Sequence, residues 1–117
     1  MTKNTNSTRY YSHNQESSIA KALNGRVVAN SGAIKFGAGD VIIDNADMLI
    51  EAKTCTTDKA SFSIKKEWLD KNKQESFSIR KTNQALCFNF GPSSNNYYII
   101  NEKLMKFLVD KLEEDNA

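Results

Sequence analysis

Residues 39–53 read GDVIIDNADMLIEAK, and the organisation of the whole chain follows from this stretch. Two short aliphatic runs, 40–43 and 48–50, flank a polar turn, which is typical of a β-hairpin. A two-residue loop at 45–46 pairs Asp40 with Glu51, whereas a three-residue loop places Asp40 on the other face of the sheet. Because Asn-Ala is not a favoured hairpin turn, the sequence leaves both loop lengths open.

The two-residue loop has a chemical consequence. It places the carboxylates of Asp40 and Glu51 on one face, with Cβ atoms roughly 4.5–5.5 Å apart. Like charges directly opposite each other destabilise a strand pair, and a divalent cation between them would remove that penalty. Lys53 projects from the same face as Glu51, and Ala52 points the other way. The alternative is that the three charges are strand-end residues in solvent.

An Asp followed by Glu-x-Lys on a hairpin resembles the PD-(D/E)XK nuclease signature, with Gly39 in place of the proline. The pattern extends toward the N-terminus through a Glu16-bearing helix, a strand over 26–30, a Ser-Gly pair that begins at Ser31, and a Gly-Asp pair. Over residues 14–91 this order is similar to archaeal-type Holliday junction resolvases and their phage relatives.

The resemblance implies a metal-dependent hydrolysis of DNA. Asp40, Glu51 and the backbone carbonyl of Ala52 would hold Mg²⁺, with Mn²⁺ as a substitute, and Glu16 would support a second ion or its water. Lys53 would orient the attacking water or help to deprotonate it, and would offset charge on the phosphate. Because a lysine beside two carboxylates stays protonated, the electrostatic role is favoured. The alternative for Glu16 is a helix first-turn residue that the helix dipole stabilises.

The net charge of +2 hides alternating blocks along the chain. Residues 1–26 carry +3, residues 27–52 carry −3, residues 53–81 carry +4 and residues 82–117 carry −2. An acidic centre between basic segments suits a metal cluster on a surface that binds phosphates, although lysine-rich segments also form ordinary solvated faces. The residues expected to contact DNA are Arg9, Arg26, Ser31, Lys35, Lys65 and Lys66, and Ser31 matches a serine that lies near the phosphate in the family.

The 117 residues are expected to form one α/β domain. Residues 1–12 are predicted to be a flexible basic N-terminal arm, and residues 13–117 the nuclease-like domain. The predicted order is α-β-β-β-α-β-β-α, a mixed β-sheet flanked by helices, as in a restriction-endonuclease-like core. The expected helices cover 14–23, Lys65 to the mid-70s, and 102–114, and the expected strands cover 26–30, 40–43, 48–50, 84–90 and 97–100.

The cysteine and histidine content argues against a zinc site, since Cys55 and Cys87 are far apart and His13 is the single histidine. Both cysteines are expected to be buried thiols rather than a disulfide. No apolar run reaches the ~20 residues of a membrane span, and the first residues of the sequence show no apolar h-region of the kind found in signal peptides. We therefore expect a cytoplasmic protein without membrane contact, in the host cytoplasm if a phage encodes it.

The family resemblance further implies a homodimer that presents two active sites to a branched substrate, the four-way DNA junction. Two alternatives remain open from sequence. One is another nuclease of the same superfamily, with nicking, flap or restriction-like activity. The other is a catalytically inactive nucleic-acid-binding domain of the same fold.

Overall fold

The structure is a computed structural model that describes residues 8–28 and 40–117, and only the backbone at Thr8 and Arg9. Within these ranges, three α-helices and five strands follow one another in the predicted order. They are α1 (Thr8–Leu23), β1 (Arg26–Val27), β2 (Asp40–Ile43), β3 (Met48–Lys53), α2 (Lys66–Ser78), β4 (Asn83–Phe88), β5 (Tyr97–Ile99) and α3 (Glu102–Asp115).

Helix α1 begins six residues before the predicted start at residue 14. Residues 8–12, which were predicted to belong to a flexible arm, are therefore helical, and residues 1–7 lie outside the described part. The prediction missed these turns because the segment is polar and carries no apolar stripe. The stripe that locates the helix, Ile19 and its neighbours, begins only in its second half.

The five strands form one mixed sheet in the order β1-β2-β3-β4-β5. Three neighbouring pairs are antiparallel, and β3 and β4 are parallel, joined by the crossover through α2. A parallel pair needs such a crossover because its second strand must start at the same end as the first. The chain is therefore an α/β protein, as predicted.

Of the two registers that the sequence left open, the structure has the one that a two-residue loop implied, with Asp40 opposite Glu51 and Ile42 opposite Leu49. The loop is longer than expected, since the last pair is Ile43 with Met48 and a short 3₁₀ turn fills the connection. Asp47 closes this turn in the left-handed conformation, with its N–H donating to the Asp44 carbonyl at 3.1 Å. Lengthening the loop from two to four residues takes one residue from each strand and leaves the pairing of the others unchanged. Asp40 and Glu51 therefore stay on one face.

Alternation along the strands divides the sheet into two faces that meet different helices. Ile19 of α1 packs with Val41, Ile50, Ala52 and Cys87 in one apolar cluster. Side chains at the intervening strand positions point away from α1, toward the side that α2 covers. The carboxylates of β2 and β3 therefore face α2.

Helix α3 is attached differently from the other two. The Asn101 side chain caps it by accepting a hydrogen bond from the Leu104 N–H at 2.8 Å, and Leu104 is its buried residue. A stripe of four exposed apolar residues at i, i+3, i+4 and i+7 runs along its length. This apolar stripe consists of Met105, Leu108, Val109 and Leu112.

The cysteines and the lengths of the helices were also considered from sequence. Cys55 and Cys87 are free and buried, as predicted. Within the described ranges, no helix combines the length and the apolarity needed to cross a lipid bilayer.

Candidate metal centre

Three carboxyl groups meet at the end of the sheet where β2 starts and β3 finishes. One carboxylate oxygen from each of Asp40, Glu51 and Glu75 lies within 4.8 Å of the others. The strand pairing brings Asp40 and Glu51 together, and Glu75 reaches them from α2. Asp40 and Glu51 are each only 6% exposed. We call these three residues the acidic centre.

Each residue of the acidic centre keeps one buried oxygen without a hydrogen-bond partner in the described part of the chain: Asp40 Oδ1, Glu51 Oε1 and Glu75 Oε1. Buried polar atoms are normally paired, because losing water without a replacement costs free energy. Three such atoms on neighbouring carboxylates are suited to a hard cation, which prefers oxygen ligands. These residues therefore fit Mg²⁺ or Mn²⁺.

The electrostatics of the centre lead to the same conclusion. Burial, together with repulsion from Glu75, Glu51 and Glu16, raises the pKa of Asp40 to about 8, and Lys71 opposes the shift. Burial and the Glu51 charge also raise the pKa of Glu75, against the influence of Lys71 and Lys53. Protons and metal ions thus compete for the same oxygens.

Lys53 lies beside the acidic centre and is held on two sides. Its Nζ lies 2.9 Å from Glu51 Oε2, which leaves Oε1 as the unpartnered oxygen of that carboxylate. The same ammonium lies 4.3 Å from the centroid of the Trp68 ring, a cation–π distance. Trp68 also contacts Phe62, with 6.2 Å between the ring centroids, and is half-buried. Trp68 thus fixes the lysine as well as packing on the sheet.

The carboxylate that joins Asp40 and Glu51 is Glu75, whereas the sequence predicted Glu16 in that place. Glu16 is buried at 8% exposure, and its charge acts on Asp40, but it belongs to α1, on the other side of the sheet. Since α1 begins at Thr8, Glu16 is a mid-helix residue, so the first-turn alternative is wrong. A role for Glu16 at a second ion stays a prediction.

A signal for Glu75 was present in the sequence. Trp68 is the large apolar residue that marks the inner face of the helix expected from Lys65, and positions four and seven residues later share that face. Those positions are Asn72, which is 2% exposed, and Glu75. Polar residues on the inner face of a helix need partners, so their presence there indicates a site rather than a plain core.

The predicted DNA contacts divide into three groups. Lys65 lies near the centre, with its Nζ 5.8 Å from the Trp68 ring centroid. Arg26 pairs with Asp44 at 2.7 Å by the hairpin connection, at the opposite end of β2 from Asp40, and Lys66 pairs with Asp70 at 2.8 Å on the exposed side of α2. Neither is brought to the acidic centre. Ser31, Lys35 and the Arg9 side chain lie outside the described residues.

Ala52 and the two predicted catalytic residues beside it occupy the expected positions on β3. The Ala52 side chain belongs to the apolar cluster on the α1 face, so the side chains of Glu51 and Lys53 point to the other face. The role of the Ala52 backbone carbonyl as a metal ligand stays a prediction.

Comparison of the chain with protein-family models, curated proteins and solved structures finds no match.

Substituting Asp40 by Asn tests the electrostatic account. Because the pKa of Asp40 is 3.8 when unfolded and about 8 in the fold, its contribution to stability is complete below the lower value and is lost as pH rises to the higher one. Asp40→Asn removes that loss. In the presence of a chelator at pH 8, we expect the variant to raise Tm by roughly 4 °C or more, which corresponds to about 1 kcal/mol in a domain of this size. Thermal unfolding followed by circular dichroism measures it.

The control is Asp70→Asn, which changes an exposed carboxylate on α2 and should leave the pH dependence as it is. Mg²⁺ should raise Tm in the wild type and in the control but not in Asp40→Asn. A variant less stable than wild type at pH 8 without metal would contradict the account.

Proposed function

We propose that this chain is a metal-dependent endonuclease that resolves four-way DNA junctions by phosphodiester hydrolysis. The observation that carries the proposal is the set of three buried, unpartnered carboxylate oxygens beside a held lysine. A domain that only bound nucleic acid would gain nothing from carboxylates that repel one another in a buried position. A centre that recruits a divalent cation to a phosphate uses carboxylate oxygens of this kind as ligands.

The residues divide the chemistry among them. Asp40, Glu51 and Glu75 would hold Mg²⁺ or Mn²⁺, which when bound neutralises phosphate charge and activates a water molecule. Lys53 is positioned by Glu51 and Trp68 to orient that water and to stabilise charge developing on the phosphate. Because its ammonium is already paired with Glu51 and lies over the Trp68 ring, we assign it an electrostatic role rather than that of a base.

We further propose that the α/β sheet is a restriction-endonuclease-like core. In support of this, the acidic hairpin is followed by a crossover helix and then a strand parallel to β3. Lys65 would bind the DNA backbone beside the centre, and Ser31 and Lys35 remain proposed contacts. Arg26 and Lys66 would have to exchange their carboxylate partners for phosphates.

Cleavage of a labelled four-way junction with Mg²⁺ tests the function. We expect paired, symmetric nicks by the wild type and about a 100-fold or greater loss of rate in Glu51→Gln, because metal stabilisation of charge amounts to several kcal/mol. Glu67→Gln, an exposed glutamate on α2, is the matched control and should cleave like the wild type.

The other outcomes identify the alternatives. Cleavage of flaps or linear duplex in place of the junction would indicate another nuclease of the same superfamily. Binding of the junction without cleavage in Mg²⁺ or Mn²⁺ would overturn the enzymatic proposal.

We also propose a homodimer formed through α3, since two active sites match the two-fold symmetry of a junction. Met105 and Leu112 of the apolar stripe are 53% and 62% exposed. Lys103 and Lys106 lie in the first half of α3, and its last residues are mostly acidic. An antiparallel pair of α3 helices would bury both stripes and place each basic half against the partner's acidic half.

Sedimentation of Leu112→Glu tests this interface. We expect the wild type to sediment as a dimer and the variant as a monomer, because the substitution buries a charge in the apolar stripe. Gln74→Glu adds the same charge to the exposed side of α2 and should remain dimeric. A monomeric wild type at all concentrations would contradict the proposal.

A further inference from the structure

A polar pocket of about 240 Å³ opens at the same end of the sheet as the acidic centre, on the α1 side. Thr54 and Asn89, which line it, directly follow the parallel strands β3 and β4. Ligands of open α/β sheets bind outside the carboxyl ends of parallel strands. The pocket therefore lies where this type of sheet places a ligand.

The chemistry of the pocket is neutral and rich in amides. None of the described residues that line it carries a charge, and five of them are asparagine or glutamine. Gln15 is 4% exposed, and its amide is fixed at both ends: it accepts from Thr54 Oγ1 at 2.9 Å and donates to Cys87 Sγ at 3.7 Å. The Asn96 amide accepts from Asn89 at 3.3 Å and donates to Ser18 Oγ at 3.3 Å. These amides form the frame of the pocket. An uncharged wall beside three carboxylates does not attract a phosphate, so the pocket suits an uncharged polar group.

The side-chain amides of Asn14 and Asn95 also line the pocket and take no part in that internal network. Such an amide offers one donor and one acceptor side by side, which matches the edge of a nucleobase and in particular the N6 and N7 atoms of adenine. Tyr11 of α1 adds an aromatic ring to the lining, and bases stack on such rings. The volume is below the roughly 300–1,000 Å³ of pockets that take whole ligands. The pocket thus has room for one group of a larger molecule.

The chain connects the pocket to the acidic centre through the end of β3. Thr54 lines the pocket and directly follows Lys53, which pairs with Glu51, so the end of β3 separates the two sites. Thr54 is three residues from Glu51, about 10 Å at 3.3 Å per residue. A DNA strand whose phosphate lies over the acidic centre can pass this end of the sheet and turn a neighbouring base toward α1.

We propose that this pocket is a subsite for one unpaired nucleobase, adenine by preference, of the DNA strand bound at the acidic centre. The inference extends the proposed nuclease function and identifies the feature of branched DNA that the protein selects. Bases at a branch point are easier to unstack than bases within a duplex, because part of the unpairing cost has already been met. A linear duplex offers no such base.

Titration of the ¹⁵N-labelled full chain with 2′-deoxyadenosine, followed by NMR, tests the subsite without any cleavage. We expect saturable shifts of the Gln15, Thr54 and Asn96 signals. Asn14→Ala, which removes an exposed amide of the lining, should weaken binding by about 3- to 10-fold, the effect of one lost hydrogen bond. Ser18→Leu, which fills the pocket from an exposed helical position, should abolish binding. Asn45→Ala, on the hairpin connection at the other end of the sheet, is the matched control and should bind like the wild type.

The inference is overturned if none of the four 2′-deoxynucleosides shifts these signals up to its solubility limit. It is also overturned if neither Asn14→Ala nor Ser18→Leu weakens binding, or if 2-deoxyribose alone produces the same shifts. Junction cleavage without nucleoside binding would remove the subsite and leave the nuclease proposal intact. Nucleoside binding without cleavage would support the pocket as a base-binding site and remove the nuclease proposal.

Discussion

The repulsion between Asp40 and Glu51 is the constraint on which the rest of the site depends. Strand pairing places these carboxylates opposite each other, and both are nearly buried. Like charges in that position cost stability, and the fold adds Glu75 rather than replacing a carboxylate with a neutral residue. Lys53 neutralises one oxygen of Glu51, and the remaining unpartnered oxygens fit a cation. The same carboxylates therefore lower the stability of the metal-free fold and supply the oxygens that fit a cation.

Much of this geometry followed from sequence because strand periodicity is rigid. Side chains alternate with a period of two along a strand. A hairpin loop of two residues and one of four residues, centred on the same turn, therefore both place Asp40 and Glu51 on one face. The sequence left the loop length open, with the acidic pair following from the two-residue form, and the structure reaches the same faces with a longer connection. The order of helices and strands was also predictable, because each apolar run has the length and spacing of its element.

The third carboxylate could not be placed in the same way. Whether Glu16 or Glu75 joins the pair depends on which helix covers which face of the sheet, and local patterns do not contain that information. Residues 8–12 escaped prediction because a polar helical turn has no apolar stripe to mark it. The polar pocket was equally invisible, since α1 and the two segments that follow β3 and β4 meet there only in the folded chain.

Binding of Mn²⁺, measured by the electron paramagnetic resonance signal of the free ion, is the most direct test of the acidic centre. The account predicts that the wild type and Glu67→Gln bind Mn²⁺ alike and that Glu75→Gln binds it about 10-fold more weakly or worse, as expected when a ligand or its support is lost. Equal binding by Glu75→Gln and the wild type, or no binding by either, would contradict it.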